Sequence, residues 1–262
     1  MEDISALDAV PLWAFFVLAF LLVLLSIEGG YRLGRYRVTR STHEKEAPVG
    51  AMVAAMLGLL AFMLAFTFGL AAQRFDTRRQ VLLDEANAIG TTYLRAATLP
   101  EHGDEIRSLL RQYVDVRLEA VQSNKVAEGI RQSEALQNEV WDAAAGLARQ
   151  HSNSIVVGLF IQSLNELIDL HAKRVTAGVR NRIPGPIWLA LFSVAAIALG
   201  AMGYHAGLVR TTRSLAVVAV GLTFTAVIGL IADLDRPLEG VLKVSQQALI
   251  DTRASMGAPG SP

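Results

Sequence analysis

The residue types that most often catalyse reactions or bind metals are few and scattered in this sequence of 262 residues. None of the histidines forms the HExxH spacing that converges on a zinc ion. They are His43, His102, His151, His171 and His205. Cysteine is absent, which excludes thiolate metal sites and disulfides. No stretch resembles a phosphate-binding loop or a nucleophile elbow. The sequence therefore predicts no enzyme, no catalytic residue, no metal and no cofactor.

Ionisable residues lie at the edges of the apolar stretches of the chain rather than inside them. Asp233 and Asp235 follow the last stretch, and His205 lies near the end of the one before it. Charged groups inside membrane helices usually mark proton relays or ion-coupled transport, so their absence disfavours a secondary transporter. A passive conduit needs no such groups, because a hydrophobic constriction can gate by dewetting. A purely structural membrane protein needs none either.

Four stretches with almost no charge must position these residues, and they cover 11–27, 49–72, 186–207 and 214–232. Each approaches or exceeds the ~20 apolar residues that cross a bilayer as a helix. The segment before the first stretch is acidic, unlike the basic start of a signal peptide, which indicates a permanent helix. Small residues such as Gly200, Gly203 and Gly207 allow close packing of membrane helices. The sequence predicts four transmembrane helices in two hairpins, in contact with the lipid bilayer.

The region between the two hairpins, 73–185, has the pattern of an extramembrane helical layer. Its apolar residues recur with a period near 3.6, for example at Ile106, Leu110 and Val114. Glycine and proline cluster at 184–186, directly before the third stretch. The predicted fold class is therefore all-α. The predicted domains are an N-terminal transmembrane hairpin (1–72), the helical region (73–185), a C-terminal hairpin (186–233) and a C-terminal tail (234–262).

The second apolar stretch continues without proline into a charged segment, AFTFGLAAQRFDTRRQ (65–80). This segment resembles the second membrane helix of the bestrophin anion channels, in which a Phe precedes an Arg by eight residues. Aromatic residues, an acid and another Arg follow; here the pattern comprises Phe66, Arg74, Phe75, Asp76 and Arg78. GLIADLDRPLEGVLK, at the last span, resembles the bestrophin segment with an acid, a Pro and a Gly. Most of the chain looks like a bacterial membrane family described as bestrophin-like.

The resemblance implies a homopentamer in the bacterial inner membrane, with one axial pore for a small anion such as chloride. Carried over by spacing, the pore neck falls on Gly58, Phe62 and Phe66, and Arg74 and Arg78 follow at the pore mouth. Residues spaced by four stack along one helix face, and the positive edges of Phe rings can favour a partly dehydrated anion. The arginines are expected on a similar face, where they would concentrate anions. The acidic cluster that binds calcium in animal members is not recognisable, so calcium gating is not implied.

An alternative function is that of a non-conducting membrane scaffold or signalling protein with the same architecture. In that case Phe62 and Phe66 face lipid or a neighbouring helix. The chain has 24 basic and 24 acidic residues, and this balance argues against a nucleic-acid partner.

The distribution of basic residues and the family resemblance give different indications of how the chain is oriented in the membrane. The link 28–48 is rich in arginine and the N-terminal segment has none, which alone places the central region in the periplasm. However, nine basic residues flank the membrane on the side of the central region, against seven in the two links. The resemblance implies a cytosolic central region, and we therefore expect residues 73–185 in the cytoplasm.

Overall fold

The structure is a computed structural model that describes residues 10–40, 46–210, 215–237 and 239–257. Within these ranges the chain is helical and contains no strand. The helices are α1 (Leu12–Thr39), α2 (Glu46–Ala96), α3 (Gly103–Gln122), α4 (Val126–Gln150), α5 (Ile155–Val175), α6 (Gly185–Leu208), α7 (Leu215–Asp235) and α8 (Gln247–Ser255). A π-helical turn, Thr176–Arg180, follows α5. Lys45 and Arg213, which contribute to the charge count of the links, lie outside the described residues, as does Ser214 at the start of the fourth predicted span.

Four helical stretches of the described chain are long and apolar enough to cross a membrane, and each overlaps one of the four predicted spans. The second of them belongs to α2, a single helix of 51 residues. At 1.5 Å per residue such a helix is about 77 Å long, more than twice the ~30 Å thickness of the hydrocarbon core. The predicted all-α membrane fold is confirmed.

Glycine residues hold α1 and α6 in close contact within the first of two compact units, which comprises Met1–Arg74 and Arg182–Leu242. A Cβ atom on Gly30 would overlap the carbonyl oxygen of Gly200, and one on Gly203 would overlap that of Ile27. Such small residues let two membrane helices approach backbone to backbone. α1 continues to Thr39, twelve residues beyond Ile27, where the predicted span ends. The glycines at this point serve close packing and do not break the helix.

The second compact unit comprises Phe75–Asn181 and the segment from Lys243 onward. Its apolar core draws on α2, α3, α4 and α5 and includes Ile89, Tyr113 and Phe160. Leu249 of α8 and Met256 directly after it are also buried in this core, with 0% and 3% of their surfaces exposed. Sequence analysis placed both residues in a C-terminal tail. The short helix instead completes the packing of the extramembrane layer.

Candidate functional site

The membrane-spanning part of α2 has one packed face and one exposed face. The packed face consists of side chains that are at most 5% exposed. They are Leu60, Leu64, Thr67 and Ala71. On the opposite side, Phe62 and Phe66 are 68% and 66% exposed. A Cβ atom on Gly58 would meet no atom of the described residues within 4 Å. The three residues predicted for a pore neck therefore lie together on the open face of this helix in the single chain.

Arg74, predicted at the pore mouth, lies beside the carboxylate of Asp235 at the end of α7. Its Nη1 atom is 3.7 Å from Oδ1 of Asp235, and the two side chains are 14% and 9% exposed. The same Oδ1 atom accepts a hydrogen bond from the backbone N–H of Ile183 at 3.0 Å. The guanidinium of Arg182 donates to the backbone carbonyl of Asp235. A carboxylate so close to Arg74 offsets much of its charge.

A second carboxylate at the end of α7 orders the chain that follows the helix. Asp233 is 5% exposed and accepts the backbone N–H groups of Val241 and Leu242 at 2.9 and 3.1 Å. Gly240, directly before Val241, has a φ of 100°, and a Cβ atom there would overlap the Asp233 carboxylate. The strained backbone conformation and the lack of space both require glycine at this position. The acid and the glycine noticed in the sequence thus form one structural element.

Arg236 ties this element to the start of α1. Its guanidinium donates to the carbonyl of Val10 at 2.6 Å and to Glu239 at 2.9 Å. It also lies 5.8 Å from the centroid of the Phe15 ring. The end of α7 therefore carries both arginines and carboxylates within the first unit. One of these arginines, Arg74, belongs to α2.

Arg78, the other residue predicted at the pore mouth, lies in the second unit. It is 6% exposed, and its guanidinium lies 6.0 Å from the centroid of the Phe75 ring. The place of Arg78 relative to Phe62 and Phe66 stays a prediction.

The extramembrane unit contains a buried ionic cluster that sequence analysis missed. Glu85, with 0% exposure, accepts hydrogen bonds from the Tyr113 hydroxyl at 2.6 Å and from Arg174 at 2.5 Å. Arg117 lies 3.6 Å from the same carboxylate. The Tyr113 hydroxyl also lies 2.9 Å from Nδ1 of His171. These residues are far apart in sequence, and helical periodicity does not reveal which polar side chains point inward.

The environment shifts the proton affinities in this cluster, which lies outside the four apolar stretches. Burial of His171, and then the charge of Arg117, lower its pKa to about 4, so the ring is neutral near pH 7. Burial raises the pKa of Tyr113 well above its usual value, and Glu85 reinforces the effect. Burial tends to raise the pKa of Glu85, but Arg174 and Arg117 together hold it below its usual value. The cluster therefore contains one carboxylate and two guanidinium groups, a net charge of +1.

A family model described as the bestrophin-like domain matches residues 15–249 of the chain. The chain belongs to the bestrophin-like family. A crystal structure of a bacterial bestrophin homologue from Klebsiella pneumoniae is similar to it with a TM-score of 0.65 and 16% identity, over 91% of this chain and 98% of that chain. A point variant of such a homologue from the same organism has a TM-score of 0.68 and 15% identity, over 92% and 97% of the two chains. No curated protein matches the sequence.

The described residues of this bestrophin-like protein include an apolar groove in the first unit but no cluster of possible metal ligands. No three His, Asp or Glu side chains among them are grouped as metal ligands would be. A groove of about 310 Å³ between α2 and α7 is lined by apolar side chains and by Thr223. The Thr223 hydroxyl donates to the carbonyl of Ala219 one turn earlier. The bestrophin-like chain thus presents an open aromatic face on one membrane helix and paired charges at its edge.

Proposed function

We propose that this bestrophin-like protein is an ion channel of the bestrophin type, a homopentamer whose axial pore is lined by α2 and conducts small anions. The observation that carries the proposal is the exposure of Phe62 and Phe66 on a membrane helix whose opposite face is packed. In a cyclic assembly, copies of this open face meet around the symmetry axis. Membership of the family supports the same arrangement.

The neck of the proposed pore is formed by rings of Phe62 and Phe66, with Gly58 one turn earlier. A phenyl ring carries a partial positive charge along its edge and a negative face. Rings that turn their edges to the axis favour a partly dehydrated anion and disfavour cations. An apolar constriction of this kind also excludes water when it narrows, which provides a means of closure.

The mouth of the proposed pore is tuned by Arg74 together with Asp235, and Arg78 follows one turn later. The Asp235 carboxylate, 3.7 Å from Nη1 of Arg74, reduces the attraction that this arginine exerts on an arriving anion. Attraction by a charge near a pore entrance acts over about 8 Å at physiological ionic strength and weakens as salt is added. The pair therefore sets how strongly the mouth concentrates anions.

We further propose that the protein resides in the bacterial inner membrane with residues 73–185 in the cytoplasm. The excess of basic residues on the side of this region, nine against seven, supports that orientation. The arrangement implied by the bestrophin resemblance supports it as well.

The test of this function combines subunit counting with current recording. The purified protein is expected to have the mass of five subunits in nanodiscs and to pass anions in planar bilayers. Removing both rings (Phe62→Ala with Phe66→Ala) should widen the neck and raise conductance or weaken closure. Phe68→Ala is a matched control, because Phe68 lies on the same helix in the groove against α7.

Two charge variants test the mouth. Arg74→Gln should lower anion current and Asp235→Asn should raise it, and both effects should shrink in 1 M salt, where screening shortens the range to about 3 Å. If the protein is monomeric, or if the pentamer passes no current, the channel proposal is wrong. The alternative, a non-conducting membrane scaffold or signalling protein, is then favoured. If the wild type conducts but the double alanine variant matches the Phe68→Ala control, the rings do not form the neck.

A further inference from the structure

One exposed stripe of α1 changes from aliphatic to aromatic and cationic side chains along its length. Its members follow one another at intervals of three or four residues, which places them on one face of the helix. They are Leu18, Leu22, Leu25, Gly29, Arg32 and Tyr36, followed by Arg40 directly after the helix, and every one is exposed. Leu25 is 68% exposed, the Arg32 side chain 74% and Tyr36 51%. A face of this kind is typical of a helix that passes from hydrocarbon into the headgroup layer.

The opposite face of α1 fixes the orientation of this stripe. Phe15, Ala19, Val23, Ile27 and Gly34 are buried along it. A Cβ atom on Gly34 would overlap the carbonyl oxygen of Tyr204 on α6. Such tight packing leaves α1 no freedom to rotate about its axis. The arginine stripe is therefore held away from α6.

The length of α1 places the basic residues at the membrane surface. The helix has 28 residues, about 42 Å, whereas the hydrocarbon core is about 30 Å thick. Trp13 near its first turn is 71% exposed, as expected for an aromatic anchor at one interface. About 20 residues of helix cross the hydrocarbon, so the other boundary falls near Leu33. Arg32 and Tyr36 then lie at headgroup depth, and Arg40 lies one turn further out.

The side chains at this boundary suit phosphate groups. Nε of Arg32 donates to Glu28 at 2.7 Å, and the Arg32 side chain is 74% exposed. The Arg40 guanidinium lies 4.7 Å from the centroid of the Tyr36 ring, which orients it. Guanidinium groups bind phosphate oxygens in a bidentate manner. We propose that Arg32 and Arg40, on either side of Tyr36, bind the phosphates of anionic phospholipids.

This lipid surface is independent of conduction, and its test measures lipid binding directly. Dioleoylphosphatidylglycerol is titrated into the detergent-purified full chain, and the bound lipids are counted by native mass spectrometry, with dioleoylphosphatidylcholine as the neutral comparison. An arginine near an anionic surface changes affinity by about fivefold, so Arg32→Gln with Arg40→Gln should weaken phosphatidylglycerol binding about thirtyfold. Binding of phosphatidylcholine should not change.

The matched control is Arg131→Gln, since Arg131 is 67% exposed and pairs with Glu128 on α4 much as Arg32 pairs with Glu28. It should bind phosphatidylglycerol like the wild type. Arg32→Lys with Arg40→Lys keeps the charges and should retain most of the preference, which separates binding from misfolding. The proposal is overturned if the glutamine variant still prefers phosphatidylglycerol. It is also overturned if inorganic phosphate at the same concentration competes the lipid off, because the site would then be a simple anion site.

Discussion

Replacing Glu85 by Gln should destabilise the extramembrane unit more than any exposed substitution of the same kind. The substitution keeps the shape of the side chain and removes its charge. Arg117 and Arg174, whose side chains are 8% and 14% exposed, then lose the carboxylate that lies 3.6 and 2.5 Å from them. Tyr113 also loses a charged acceptor for its 2.6 Å hydrogen bond. Breaking a buried ion pair from one side costs about 3–5 kcal/mol, because the remaining charge stays buried without a partner.

The assay is thermal unfolding of the detergent-purified protein, followed by circular dichroism. A loss of this size corresponds to a drop in Tm on the order of 10 °C for a chain of this length. Glu119→Gln is the matched control, because Glu119 lies on α3 and is exposed. Its Tm should stay within about 2 °C of the wild type, since exposed substitutions change stability by about 0.5 kcal/mol or less. Hydrogen exchange in α3 and α5 would show that the lost protection belongs to this unit.

A double substitution decides whether the pairing is the cause. Glu85→Gln with Arg174→Gln removes one carboxylate and one of its two guanidinium partners, so the double variant should lose less than the sum of the single losses. The reasoning fails if Glu85→Gln melts within about 2 °C of the Glu119→Gln control. It also fails if the two single losses simply add.

Two further predictions concern acid stability and sidedness. The pKa of His171 is about 4 in the folded protein and 6.5 in the unfolded chain, so the unfolded state gains a proton first as pH falls. The free energy of unfolding should therefore drop by about 2 kcal/mol between pH 7 and 5, which is measured as a lower Tm. His171→Gln should flatten that part of the profile, and an unchanged slope would place the pH dependence elsewhere. The chain has no native cysteine, so a Gln122→Cys variant in intact cells should resist an impermeant maleimide, whereas Thr39→Cys should react. The opposite labelling pattern would put residues 73–185 in the periplasm.

The membrane helices were predictable because their signal is local. An uninterrupted run of about 20 apolar residues has few alternatives to a spanning helix, since every backbone polar group must be satisfied inside lipid. The length of α1 was harder to predict. The apolar stretch ends at Ile27, yet α1 continues to Thr39, and Gly30 is required where the Gly200 carbonyl approaches. A close contact between two helices cannot be read from either helix alone.

The polar clusters were not predictable for the same reason. Tyr113 and Glu85 are separated by 28 positions in the chain, and Arg174 and Glu85 by 89. Their meeting depends on how α2, α3 and α5 pack, which periodicity does not specify. The pairing of Arg74 with Asp235 was also not predictable from the sequence. The sequence showed a carboxylate at the edge of the last span, and only the packing of α7 against α2 makes it the partner of that arginine.

The burial of α8 in the extramembrane core has a consequence for the order in which the protein is made. The Tyr93 hydroxyl donates to the carbonyl of Met256 at 2.7 Å, a contact between residues 163 positions apart. At about 5–20 residues per second, a ribosome needs roughly 8–30 s to travel from one partner to the other. During that interval the last two membrane helices are inserted while the apolar surface that later receives Leu249 and Met256 stays open to solvent and chaperones. Closure of this core is therefore a late event in synthesis, and a nascent chain that stalls after α7 lacks the residues that cover this apolar surface.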